Sequence, residues 1–392
     1  MKRVPIYIVR VLGLSLLMGA AYCTCSVHYD YYDQCDAAVP DSECYATRRD
    51  PESDQVALAT AIADRWIEEH PIEEQVWDWG PSVLMYSLTE LYRVTGDERL
   101  REYYKSWLDY RIDQGYQVIW SDHCPPAITA ISLLSETSTD EYQQVVDDVF
   151  NYLDDVAPRL EGGITHNGTL ASRPSIWLDS LFMFGMVMTR WAELTEDPAR
   201  LDMLSEQVGI FAERMQRDSG LMQHAYGLPL TDDGVHWLRG NSWVTASLSD
   251  YLRVRVRRGE TDPGVEQVVR DQVRGVIELQ DSETGLWWTV MDRPGEIYLE
   301  TSGSALFAFG IARAYRYGIL GEKELASARR AVAGVKQQIR TDAQGRPIVT
   351  GISKGTDPGT FEQYAAVQLG EDIHYGVGAA ILALIETSGL PE

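Results

Sequence analysis

A carboxylate stands in one of the most apolar stretches of the chain: Asp179, within Arg173-Pro-Ser-Ile-Trp-Leu-Asp-Ser-Leu-Phe-Met-Phe-Gly-Met-Val-Met188. Burying an unpaired carboxylate is costly unless the group holds its proton. A carboxyl that is protonated near neutral pH is suited to general-acid work. The plainer reading is that Asp179 caps a neighbouring loop or pairs with an arginine. A second carboxylate, Asp122 in Ser121-Asp122-His123, opens another apolar segment and is either an ordinary helix cap or a partner of the first. The densest polar and aromatic cluster is Trp237-Leu-Arg239-Gly-Asn241-Ser-Trp243. Tryptophan faces stack on sugar rings, and a planar guanidinium grips a carboxylate through two parallel hydrogen bonds. Read singly, each tryptophan is as well explained by core packing, and Arg239 by satisfying helix ends. Trp177 stands two residues before Asp179. His166 and His224 lie in the loops that precede the Asp179 and Arg239 segments, where a histidine serves either as a structural group or as a site group.

The elements that must position these residues repeat. From about residue 55, each unit is an apolar helix, a short turn of Gly, Thr, Asp and Glu, and a more charged amphipathic helix. The paired segments are 79–94 with 99–111, 127–136 with 141–153, 178–194 with 200–217, 242–257 with 265–279, and 302–317 with 325–339. A sixth apolar helix, 376–387, takes the first amphipathic segment, 56–69, as its partner. Helices apolar nearly all round belong inside, and those with one polar face outside. The period of roughly 45–65 residues fits arrays of helical hairpins. An open solenoid is the competing geometry, but the two ends complete each other's hairpin and neither carries a polar cap. The expected fold is therefore all-α, an (α/α)6 toroid of six helical hairpins over residues 52–392. The out-of-place polar and aromatic residues recur where each inner helix begins: Trp77-Asp78-Trp79, Ser121-Asp122-His123, Trp177 with Asp179, Trp237 to Trp243, Glu300-Thr301-Ser302 and Asp372-Ile-His374-Tyr375. In a ring these junctions converge on one mouth, where helix N-termini favour an anion and a pocket is expected.

Charge narrows the partners. The formal net charge is −25, from 34 basic and 59 acidic residues, which argues against nucleic acid or an anionic membrane held by charge attraction. An anionic substrate needs a local cluster of positive or hydrogen-bonding groups. Residues 1–22 have the charged start, apolar run and small-residue end of a signal peptide, so the chain is expected to be exported, periplasmic or secreted. Cys23 stands where a lipoprotein anchor cysteine would, although Tyr22 before it departs from that pattern. Residues 23–51 form a polar segment carrying Cys25, Cys35 and Cys44, in which export permits a disulfide of undetermined connectivity. No paired cysteine spacing or histidine cluster points to a metal site.

The chain resembles the unsaturated rhamnogalacturonyl hydrolases, glycoside hydrolase family 105, relatives of the unsaturated glucuronyl hydrolases. The resemblance rests on Trp177-Leu-Asp179 followed by Ser-Leu-Phe-Met183, Trp237-x-Arg239-Gly-Asn-x-Trp243, Thr284-Gly-Leu-Trp-Trp-x-Val290 and Tyr298-Leu-Glu-Thr-Ser-Gly-Ser-Ala305, in an order running through residues 55–390. It implies a pocket-type exo-enzyme that removes a Δ4,5-unsaturated uronic acid from the non-reducing end of oligosaccharides left by a polysaccharide lyase. It further implies Asp179 as general acid and Asp122 as the second carboxylate. His224, Trp237, Arg239, Trp243, Trp177, His166 and Asn241 then contact the sugar, with no metal or cofactor. Asp122, ionised, is expected to keep Asp179 protonated. Two other readings stand beside this one. A sugar epimerase of the N-acylglucosamine type needs two facing histidine bases, and a non-catalytic glycan-binding protein is compatible with the same fold.

Overall fold

The computed structural model describes residues 49–229 and 235–391. Residues 1–22, expected to be a signal peptide, and the cysteines Cys23, Cys25, Cys35 and Cys44 lie outside the described residues. Cys124 is a buried free thiol.

Helices alternate in chain order as α1 (Asp54–Glu69), α2 (Trp79–Thr95), α3 (Glu98–Gln114), α4 (Pro126–Leu134), α5 (Asp140–Asn151), α6 (Ser180–Met183), α7 (Gly185–Thr195), α8 (Ala199–Met215), α9 (Leu238–Arg257), α10 (Pro263–Ile277), α11 (Thr301–Arg316), α12 (Glu322–Gln337), α13 (Phe361–Ala366) and α14 (His374–Thr387). The turn chemistry is local and legible. Gly96 ends α2 in the left-handed region at φ 67°, and Asp97 then caps α3 by accepting from the Arg99 N–H at 3.1 Å. Asp262 and Pro263 start α10 in the same spirit, the Asp262 carboxylate accepting from the Val265 N–H.

The inner helices α2, α4, α7, α9, α11 and α14 each pack on the next, and α14 returns to α2, so the array is a closed ring. Each of α3, α5, α8, α10 and α12 lies outside the inner helix before it, and α1 packs on α14 to complete the sixth hairpin. The (α/α)6 toroid expected from the repeat is thus observed. Two glycines let inner backbones meet. A Cβ at Gly310 of α11 would fall 2.9 Å from the Ala246 nitrogen of α9, and one at Gly378 of α14 would fall 2.9 Å from the Leu84 Cα of α2.

Three boundaries differ from expectation. The apolar helix expected over 178–194 is broken at Phe184 into α6 and α7. In an unbroken helix the Leu181 carbonyl would accept from the Gly185 N–H, but here the Ser247 hydroxyl of α9 donates to it at 2.6 Å. The helix expected from residue 242 starts at Leu238, which puts Arg239, Asn241 and Trp243 inside its first two turns. The folded part also reaches further back than residue 52, because the Arg49 side chain is buried against Glu386 at 2.8 Å and the Asp50 N–H donates to Ser388 Oγ.

At the end of the ring away from the helix starts, the inner helices are joined by buried charge. The Arg313 guanidinium of α11 contacts Glu90 of α2 at 2.8 Å, Asp250 of α9 at 2.6 Å and Glu386 of α14 at 2.7 Å, with none of these four side chains more than 1% exposed. Arg190 of α7 reaches Asp250 at 2.9 Å, and Arg253 of α9 joins Asp250 to Glu193 of α7 at 2.8 and 2.6 Å. Burial pushes the Glu386 carboxyl up, but Arg313, Arg49 and Arg316 outweigh it and bring it to about 2. Removing one member of such a cluster strands the others in a dry interior. Arg313→Met is expected to lower unfolding stability in urea by about 3–5 kcal/mol. An unchanged midpoint would show that the cluster is not what holds the ring closed.

Candidate active site

The mouth is assembled by one backbone contact, repeated. At four of the six inner-helix starts, a residue at the start or a few positions before it donates its N–H to a carbonyl in the loop of the following repeat. Ser121 donates to His166 at 2.9 Å, Leu178 to His224 at 3.0 Å, Leu238 to Thr289 at 2.9 Å and Thr301 to Gly351 at 2.9 Å. The next residues in sequence are Asp122, Asp179, Arg239 and Ser302, so the candidate site residues occupy equivalent places in successive repeats. In the first repeat the Trp77 indole N–H makes the matching contact, to the His123 carbonyl at 3.2 Å, and Asp78 follows it. Two-residue strands extend the lacing, with Ile176–Trp177 antiparallel to Ala225–Tyr226, and Trp287–Trp288 to Leu299–Glu300.

This lacing presents two Asp–His pairs. His224 Nε2 lies 3.1 Å from Asp179 Oδ2, and the Trp237 ring stacks on the imidazole at 4.2 Å between centroids. His166 Nε2 lies 3.5 Å from Asp122 Oδ1, and Trp177 stacks on that ring at the same 4.2 Å. The His166 Nδ1 is 3.0 Å from Ser180 Oγ, whose own hydroxyl donates to Ser121 Oγ, so Nδ1 is the donor. Both histidines are almost completely buried, whereas the Asp122 and Asp179 side chains are 10% and 13% exposed. The carboxylates are thus the edges of the pairs that open to the mouth.

The two pairs hold their protons differently. Burial pushes His166 down, but the charges of Asp122 and Asp179 and the Asp122 contact outweigh it, so the ring gains a proton more readily than a free histidine. Burial dominates for His224 and pulls it below its ordinary value despite Asp179. Burial pushes Asp179 up, yet the charge and hydrogen bond of His224, with His166 behind, hold it below the usual carboxyl range. The expectation of a protonated Asp179 kept so by Asp122 is therefore reversed in the unliganded site. The carboxyl whose grip on a proton is strengthened is Asp78, raised to about 6 by burial and then by the charge of Asp122.

Other expected contacts are redistributed. Asn241 is fully buried, and its amide is spent. Oδ1 accepts from the Met222 N–H and from Gln272, and Nδ2 donates to the Met222 and Trp237 carbonyls. It braces the wall and has no group left for a sugar. Arg239 is 1% exposed, and its fork is also committed: Nη1 donates to the Ser353 carbonyl and hydroxyl, and Nη2 to the Lys354 carbonyl at 3.0 Å. Its guanidinium lies over Trp237 and Tyr375 at 4.7 and 4.9 Å, with Glu300 at 3.9 Å. Nε has no partner among the described residues but is itself buried, so Arg239 does not present a two-pronged grip to a ligand. Trp243 and Trp237 are buried, Trp243 against Phe182 and Trp79. Half-exposed rings near the mouth include Trp77, Trp79, Trp120 and Trp177, with one face of Trp77 covered by Tyr116 and one face of Trp177 by His166. Of the other junctions, Asp372 is drawn outward to Arg65 of α1, and Glu300 caps α11 through the Ser302 and Gly303 N–H groups.

Sequence reasoning overlooked Tyr364, buried on the short α13, whose hydroxyl is 2.7 Å from His224 Nδ1. A signal was present in Thr360-Phe-Glu-Gln363, where Gln363 Oε1 accepts from the Thr360 N–H as in a capping box.

The model of Glycosyl Hydrolase Family 88 matches residues 57–390. The unsaturated rhamnogalacturonyl hydrolase YesR of Bacillus subtilis is 26% identical over 307 residues, 76% of this chain and 85% of that protein. A possible member of glycoside hydrolase family 105 from Klebsiella pneumoniae superimposes with a TM-score of 0.75 at 25% identity, covering 90% of this chain and 94% of that one. The unsaturated glucuronyl hydrolase of Bacillus sp. GL1 shares the fold with a TM-score of 0.67 at 17% identity, covering 84% and 95%.

The two imidazoles are expected to titrate apart. In side-chain nitrogen NMR, His166 should change charge above pH 6.5 and His224 below it. Asp122→Asn should lower the His166 midpoint and leave His224 nearly unmoved. Coincident titrations near the ordinary value would overturn this description of the site.

Proposed function

From the premise that this chain belongs to glycosyl hydrolase family 88, we propose that it removes a Δ4,5-unsaturated uronic acid from the non-reducing end of lyase-generated oligosaccharides. The observation that carries the reading is Asp179 at the mouth, half-buried, hydrogen-bonded to His224 and within the electrostatic reach of the Asp122–His166 pair. The likeness to YesR along most of both chains supports it.

The substrate is an enol ether, so the chemistry differs from displacement between two carboxylates. The uronate brings a negative charge and displaces water, and both effects raise the Asp179 carboxyl. In the complex Asp179 takes up a proton and gives it to C4. Positive charge then develops at C5 and the ring oxygen, facing ionised Asp122. Water adds at C5 and returns a proton to the Asp179 carboxylate. The resulting hemiketal opens, C1 becomes a hemiacetal, and the linked sugar leaves as an alcohol. One water is consumed, and no attack occurs at the anomeric carbon. The half-exposed Trp77 and Trp177 rings supply stacking faces, and Arg239 acts mainly by fixing the loop at Ser353 and Lys354.

The epimerase reading needs two histidines with a free ring nitrogen each. Here His224 is held by Asp179 and Tyr364, and His166 by Asp122 and Ser180. The charged start and apolar run at residues 1–22 add the reading that the enzyme works outside the cytoplasm.

Incubation with an unsaturated disaccharide from a lyase digest should bleach the enol-ether absorbance, and Asp179→Asn should slow this by about 10²–10⁴-fold. An unchanged signal across substrates from several lyases would sink the activity, and near-normal rates in the variant would remove Asp179 as the acid. In deuterated water the product should carry label at C4. A product without it contradicts protonation at carbon.

A further inference from the structure

We propose that Tyr364 is a positioning residue that fixes the tautomer of His224 and, through it, the orientation of the Asp179 carboxylate. The inference rests on the role of Asp179 proposed above, but the geometry stands independently of any substrate.

The direction of each hydrogen bond follows from donor and acceptor counting. The Gly359 N–H donates to the Tyr364 oxygen at 3.3 Å. The phenol's own hydrogen is then free for the His224 Nδ1 lone pair, 2.7 Å away. With Nδ1 accepting, the imidazole carries its hydrogen on Nε2, which donates to Asp179 Oδ2 at 3.1 Å. The chain of contacts therefore runs from the Gly359 amide through the phenol and imidazole to the carboxylate. The opposite tautomer would turn a lone pair toward the carboxylate and leave the phenol without an acceptor. Burial keeps the Tyr364 phenol protonated, well above the ordinary tyrosine range, so it remains a donor.

Position is as constrained as polarity. Tyr364 is 2% exposed, its ring stacked in a layer with Trp237, which in turn covers His224. The charged or titratable groups facing His224 are Asp179, His166 and Arg239, and Asp357 acts on Tyr364 from its own loop. None of them replaces the phenol at Nδ1. Tyr364 comes from the loop between the last two repeats, whereas His224 and Asp179 come from the middle of the chain. The acid is thus oriented from across the ring.

Tyr364→Phe keeps the ring packing and removes only the hydroxyl. In nitrogen NMR of the free protein, wild-type His224 should be the Nε2–H tautomer. The variant should show a mixture of tautomers and a His224 midpoint shifted to higher pH, because Nδ1 is released to accept a proton beside Asp179. Turnover should fall by about 10- to 100-fold, with KM little changed. In a His224→Asn background the same substitution should cost nothing more. Unchanged tautomer and titration in a folded Tyr364→Phe protein would overturn the proposal, as would full additivity of the two substitutions. Absence of turnover in the wild type, with the NMR result as described, would instead count against the reaction and leave the positioning role standing.

Discussion

Arg313 at the closed end is the contact on which the rest of the ring depends. Close packing of apolar faces sets the spacing of the inner helices, and buried ions add a sharper constraint on their register. A displaced carboxylate or guanidinium would be left unpaired in a medium that cannot solvate it. Glu90, Asp250 and Glu386 stand on three different helices and meet the one guanidinium. Arg190, Arg253 and Glu193 extend the same network to α7. Only α4, nine residues long, contributes nothing to it. With the far ends pinned, the helix starts are held in place at the mouth.

What happens at the mouth is repetition with substituted side chains. The same N–H to carbonyl clasp recurs from repeat to repeat, and the residue after the donor is Asp122, Asp179, Arg239 or Ser302. The acceptor carbonyl belongs to His166 in one clasp and to His224 in the next. The backbone that closes each repeat onto its neighbour is therefore the backbone that delivers the imidazole to the carboxylate. Fold and site are one set of hydrogen bonds.

Much of this was legible beforehand. Helices apolar on every side, alternating with amphipathic ones and punctuated by Thr-Gly-Asp turns, are enough to imply hairpins, and the mutual completion of 56–69 and 376–387 is enough to imply closure. Asp122, Asp179, His166 and His224 could be singled out by type and place, and the structure brings them together as two pairs. Less legible was everything decided by groups distant in sequence. The commitment of Arg239 to Ser353 and Lys354 spans more than a hundred residues, and no local pattern announces it. The break at Phe184 is caused by a serine on another helix. The ionised state expected of Asp179 in the free site follows from histidines in two separate loops. Tyr364 sits on a helix of six residues, too short to show periodicity.

The fully committed amide of Asn241 has a consequence for how this family can diversify. With all its hydrogen bonds given to the scaffold, that wall admits almost no exchange of residue type without stranding a buried partner. The half-exposed rings at Trp77 and Trp177 each give the scaffold one indole hydrogen bond, to the His123 carbonyl and to Ser175 Oγ. A change in which sugar is accepted is therefore borne more easily by these rings than by the Asn241 wall.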